Sequence, residues 1–202
     1  TSVRSFRAEA LSDFVGAVLD GELEQARNLR KHLSNYPMLL SRDLTEVREW
    51  LRSKARGTER FGLVASSNAL RLKPHGIHVK SAIDAPLWFL NDKTDVRSSF
   101  AMEDVATEFD IQGLELDWVG MCWDVNLAWS KDGWLARRFA GTSWQSINNA
   151  DRLKYVKNSY RVLLTRARQG MAIYVPFGSI NDTTRDPRLY DSTFHFLRDC
   201  MS

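Results

Sequence analysis

From Ala101 to Leu135 the chain carries eight acids against one base, Lys131, and from Arg137 to Gly170 it carries eight bases against one acid, Asp151. A basic stretch of this kind can hold a phosphate-bearing ligand while its acidic neighbour repels wrong partners. The two stretches can equally neutralise each other in the fold. Five of the seven Trp (Trp118, Trp123, Trp129, Trp134 and Trp144) fall in the same region. Aromatic rings beside bases can stack single-stranded nucleic acid. Trp118 and Trp123 lie in an apolar run and read as core. Trp129 and Trp134 flank an Asp132–Gly133 turn, and are either cross-strand packing in a hairpin or an open platform.

Other chemistries find less support. His75 and His78 are three apart, but no Cys or acid nearby completes a metal set. Ser66 and Ser67 lack the G-x-S-x-G elbow of a hydrolase. The acids between Glu103 and Asp124 show no Asp…Glu-x-Lys pattern, which ranks a nuclease last. There is no G-x-x-x-x-G-K-S/T anywhere, so no loop cradles phosphates. Cys122 and Cys200 are too few for a disulfide framework and fit a reducing cytoplasm. The 202 residues, 44% hydrophobic with a net charge of +3, suffice for one domain over residues 1–202. No apolar run is long enough for a membrane span, and the N-terminus has no signal-peptide core.

Periodicity places these residues on elements. Residues 8–19 read as a helix ended by Gly21, 22–33 as a second, and 36–41 as a buried strand. Asp43 with Glu46 predicts a capping box opening a third helix. Residues 61–66 form the next strand, 66–72 a short capped helix, 104–107 a strand, and 116–123 a strand with almost no alternation. Strands of the last kind are covered on both faces, as in parallel sheets. Residues 151–168 read as a helix ended by Gly170, 171–176 as a strand, and Asp186 with Pro187 as the start of a last helix. Alternation of strands and helices gives an α/β class with a parallel sheet flanked by helices.

Two segments resemble motifs of superfamily 1 helicases. Ala106–Asp117, with Gln112–Gly113–Leu114–Glu115 before a strand, resembles motif V. Tyr160–Arg168, with its Thr165–Arg166–Ala167 core, resembles motif VI. Val3–Arg4–Ser5–Phe6–Arg7 is a weaker match to motif IV, where an Arg follows an aromatic residue just before a helix. The wording of motifs V and VI looks closest to a family of helicase-like ATPases related to the helicase-like domain of Schlafen proteins. Val119–Asp124 superficially resembles a Mg²⁺-holding strand, but in that family it follows motif V and is structural.

The resemblance implies a RecA-like, P-loop NTPase type, three-layer sheet: the second lobe of a motor whose P-loop lobe lies upstream. Thr1 in place of Met fits a chain cut from a longer one. It implies ATP with Mg²⁺ as cofactor, the Mg²⁺ ligands being on the other lobe. Arg166 is then the arginine finger and Arg7 a second phosphate contact, because a guanidinium stays charged and donates in parallel pairs. Gln112, Gly113 and Glu115 would bind nucleotide, Glu115 at the ribose. Thr107, Trp129 and Trp134 would face DNA or RNA. Arg168 reads as a solvated or packing residue on the same helix. The expected partners are the N-terminal lobe and a nucleic acid, with no membrane. The alternative is a RecA-like module without catalysis that binds nucleic acid or a protein.

Overall fold

The structure, a computed structural model, describes residues 3–202, with side chains from residue 6 onward. The side chains of Val3, Arg4 and Ser5, part of the motif IV match, lie outside the described residues. Helix α1 (Val3–Leu19) and α2 (Leu23–Arg30) open the chain. Next come β1 (Met38–Ser41), α3 (Leu44–Lys54) and β2 (Phe61–Ala65). A short α4 (Ala85–Leu90) precedes β3 (Leu116–Cys122). An antiparallel meander follows: β4 (Leu127–Ser130), β5 (Gly133–Ala140) and β6 (Ser143–Ser146). Then come α5 (Ala150–Leu164), β7 (Ala167–Tyr174) and α6 (Pro187–Met201).

The main sheet is four-stranded and parallel, in the order β1-β7-β3-β2. Its unalternating strands are explained by cover on both faces. On one face Val119, Met121, Met171 and Ile173 share a core with Phe14 and Val15 of α1, Leu163 of α5 and Leu197 of α6. On the other, Trp118, Cys122 and Ala172 meet Val47 and Leu51 of α3. This is a mixed α/β fold with a parallel sheet flanked by helices, compatible with a RecA-like fold. No helix among the described residues is long and apolar enough to cross a membrane.

Local chemistry sets the element ends. Asp43 caps α3 by accepting from Thr45 N at 2.9 Å, and Asp186 caps α6, with Pro187 in its first turn. Asn149 caps α5 through Asp151 N and Arg152 N.

Three expectations are corrected. The helix predicted over 151–168 ends at Leu164, because the Thr165 hydroxyl donates back to Arg161 O and the chain leaves at once for β7. Gly170 is therefore inside β7, where the Trp118 ring lies against it. The strand predicted over 104–107 is reduced to a single parallel bridge between Ala106 and Val64. A third meander strand, β6, had no apolar alternation to announce it, since Ser143, Gln145 and Ser146 are polar.

Candidate functional site

β3 and β7 run side by side, so the loop before β3, which resembles motif V, and the turn before β7, which resembles motif VI, meet at one end of the sheet. Leu116 N donates to Arg166 O at 3.0 Å and holds the starts of the two strands together. Helix α1 crosses beside them. Between these elements lies an open cavity of about 600 Å³. Its polar lining is Arg7 from α1, Tyr36, Glu115 and Asp117 at the start of β3, and Thr165, Arg168 and Gln169 around the start of β7.

The polar side chains of this lining hold one another in place. Arg7 donates through Nη1 to Gln169 Oε1 at 3.1 Å. Arg168 donates through Nη2 to Asp117 Oδ1 at 3.0 Å, and its Nε is 3.8 Å from Glu115 Oε2. Asp117 sits at a register shift in β3, and its other oxygen accepts Arg60 N at 2.7 Å. Tyr36 is buried and donates to Ala167 O at 2.8 Å, and burial pushes its hydroxyl pKa far up. It is a neutral wall, not an acid. The cavity thus holds two cations and two carboxylates, with Arg7 facing a neutral amide.

The predicted residues are divided by the fold. Arg7 and Glu115 line this cavity, but Arg7 lies within α1 and not before a helix. Arg166 sits in the turn between α5 and β7 and is not part of the lining. Its buried Nε has no hydrogen-bond acceptor among the described residues. Gln112 and Gly113 are exposed in the loop before β3, and Gly113 has φ +79°, the left-handed region that favours glycine.

Thr107 is at the other end of the sheet, just past the bridge to β2. Its N and Oγ1 both donate to Asp110 Oδ2, at 2.8 and 3.1 Å, and it is buried. Its hydroxyl proton is therefore already engaged. Trp129 and Trp134, expected as stacking platforms, are corrected. Trp134 is 6% exposed, stacks on Trp123 and donates to Val18 O at 2.8 Å. Trp129 lies flat on Phe196 of α6, ring centroids 3.6 Å apart at 12°. Neither leaves an open face for a base, because the meander docks on α1 and α6 through these rings.

Arg168 was missed because a helix continued through it would have turned its side chain elsewhere. Once the helix stops at Leu164, residue 168 is on a strand and reaches Asp117 of the neighbouring strand. Asp117 and Gln169 carried no signal in the sequence.

A nucleotide's phosphates need cationic donors with hydrogen-bonding capacity to spare. Arg7, whose partner is a neutral amide, fits that requirement in this cavity, whereas Arg168 is shared with Asp117 and Glu115 and the Nε of Arg166 is buried outside the lining. Among the described residues no group of three or more His, Cys, Asp or Glu stands close enough to hold a metal ion. The family model described as Schlafen group 3, DNA/RNA helicase domain, matches residues 1–176. No curated protein and no solved structure shows a significant match.

Proposed function

We propose that the chain, which belongs to the Schlafen group 3 DNA/RNA helicase-domain family, is the second, RecA-like lobe of a two-lobe ATP-driven motor acting on nucleic acid. The observation that carries this is the cavity on which Arg7, Glu115 and Arg168 converge, beside Arg166. Bound ATP would supply the γ-phosphoryl group whose hydrolysis drives such a motor. Arg7 and Arg168 would hold the phosphates, and Arg166, the finger that motif VI implies, would stabilise charge on the transferring group. Glu115 would accept from ribose hydroxyls, and Gln112 and Gly113 would shape the loop against the nucleotide. Mg²⁺ and the phosphate-cradling loop belong to the other lobe. The free, buried Cys122 and Cys200 fit a reducing cytoplasm.

The test is ATP turnover by this chain alone and combined with the lobe that carries the phosphate loop. The chain alone should show essentially none, and appreciable turnover by it counts against the proposal. In the combined protein, Arg166→Ala should lower turnover by about 10³ or more while ATP affinity changes little. Equal turnover removes the finger assignment.

A second reading has its own observation. Arg168 is shared by Asp117 and Glu115, an arrangement that can simply fix the start of two strands. In that case the chain is a RecA-like module without catalysis, binding nucleic acid or a protein, and no combination with another lobe restores turnover.

A further inference from the structure

We propose that Gln169 is a positioning residue: its amide oxygen fixes the Arg7 guanidinium in the cavity and leaves the whole charge of Arg7 to a polyphosphate. The inference deepens the phosphate-holding reading of this cavity, on which it rests. It separates the two cations of the lining, since Arg168 is partly neutralised by its own carboxylates and Arg7 is not.

The pair follows from how α1 meets the sheet. Successive residues of a strand face opposite sides, so Gln169 shares a face of β7 with Met171 and Ile173. That face packs on Phe14 and Val15 of α1. Arg7, Leu11 and Phe14 stand four and three residues apart and so share one side of α1. Leu11 and Phe14 are buried, and Leu11 also lines the cavity. The Arg7–Gln169 contact thus continues the α1–sheet packing outward, where a polar pair replaces apolar side chains at the cavity wall. Arg7 Nη1 donates to Gln169 Oε1 at 3.1 Å, and both residues are half-buried.

The type of acceptor decides what Arg7 can do next. A guanidinium has five N–H donors and no acceptor, so one bond to Gln169 leaves the others for a ligand. Arg7 pairs with no carboxylate among the described residues. The carboxylates of the lining, Glu115 and Asp117, are instead turned to Arg168, at 3.8 and 3.0 Å. A carboxylate at position 169 would hold Arg7 more firmly but cancel the charge that attracts phosphate. An apolar side chain there would spare the charge but leave Arg7 to be ordered by the ligand, at a cost in affinity. Glutamine at this position does neither.

The test is titration calorimetry of this chain with inorganic pyrophosphate, with thermal melts to check folding. Arg7→Ala should weaken binding about ten-fold. Gln169→Met keeps the side-chain length without a comparable acceptor and should weaken it about three-fold. Gln169→Glu keeps the hydrogen bond, should melt no lower than the wild type, and should nonetheless weaken binding roughly ten-fold. A merely structural tether gives the reverse order, with Gln169→Glu milder than Gln169→Met. In an Arg7→Ala background Gln169→Met should cause no further loss, because it acts only through Arg7. No pyrophosphate binding by the wild type, or equal binding by Arg7→Ala, overturns the phosphate role of Arg7 and this inference with it. If Arg7→Ala is weakened, three results overturn the role of Gln169 alone. They are wild-type affinity in Gln169→Met, Gln169→Glu binding at least as well as Gln169→Met, and an undiminished Gln169→Met loss without Arg7.

Discussion

Asp117 joins two neighbouring parallel strands and the segment before a third: Oδ1 accepts Arg168 Nη2 at 3.0 Å from β7, and Oδ2 accepts Arg60 N at 2.7 Å just ahead of β2. It is placed to do both because β3 shifts register between Leu116 and Trp118, where Asp117 N and Trp118 N both donate to Arg60 O. The acid thus steadies the wall of the cavity and at the same time offsets the charge of Arg168.

Removing that offset should be visible in anion binding. Asp117→Asn keeps an oxygen for Arg60 N but deletes one negative charge beside Arg168. A unit charge at this range is worth about 1 kcal/mol in a watery site. Affinity of the chain for ATP or pyrophosphate should therefore rise a few-fold, by titration calorimetry. Unchanged affinity would mean that anions do not use this cavity.

Gly170→Ala should destabilise the fold. An added Cβ would stand 2.5 Å from the Trp118 ring and 2.6 Å from Pro37 O, and the latter is backbone that cannot swing away. The expected loss is about 1–3 kcal/mol in urea unfolding. Wild-type stability would show that β1 and β7 can part more freely than their register implies.

Trp134 separates packing from ligand binding. Trp134→Ala removes a buried ring and one of the two donors to Val18 O, the other being Gly21 N, so about 3–5 kcal/mol should be lost. The milder Trp134→Phe should fold and bind oligothymidylate as the wild type does. Weakened binding in a well-folded Trp134→Phe would restore this ring to the nucleic-acid face.

His75 gives the fold a pH dependence of known sign. It is half-buried, with Nδ1 3.2 Å from the Tyr174 hydroxyl. Burial first, and Arg185 second, lower its pKa below the usual 6.5. The unfolded chain then binds the proton more readily, so the contribution of His75 is complete above about pH 6.5 and is lost as pH falls through the folded value. Urea midpoints of wild type should drop on acidification more steeply than those of His75→Gln. Parallel profiles would exclude this histidine as the cause.

Much of the architecture was legible in residue order. The apolar run at Leu116–Cys122 required cover on both faces, and the spacing of Leu153, Val156, Tyr160 and Leu163 required a helix against it. Asp43, Asp186 and Pro187 marked helix starts because capping is local chemistry. The resemblance to a Schlafen-related helicase-like family was likewise visible, and the family match agrees with it. Of the three residues expected to converge, Arg7 and Glu115 line one cavity and Arg166 does not.

What needed the tertiary structure was the outcome of competition between neighbours far apart in sequence. Whether Thr165–Arg168 continued a helix or began a strand depended on β3 offering hydrogen bonds to β7, and that choice moved Arg168 into the cavity. Whether Trp129 and Trp134 were open depended on α1 and α6 arriving to cover them. Local propensity and periodicity act within a few residues. Burial, pairing and exposure of charge are set by contacts across the whole chain, so the sequence named the elements while the packing decided which side chains were left free to bind.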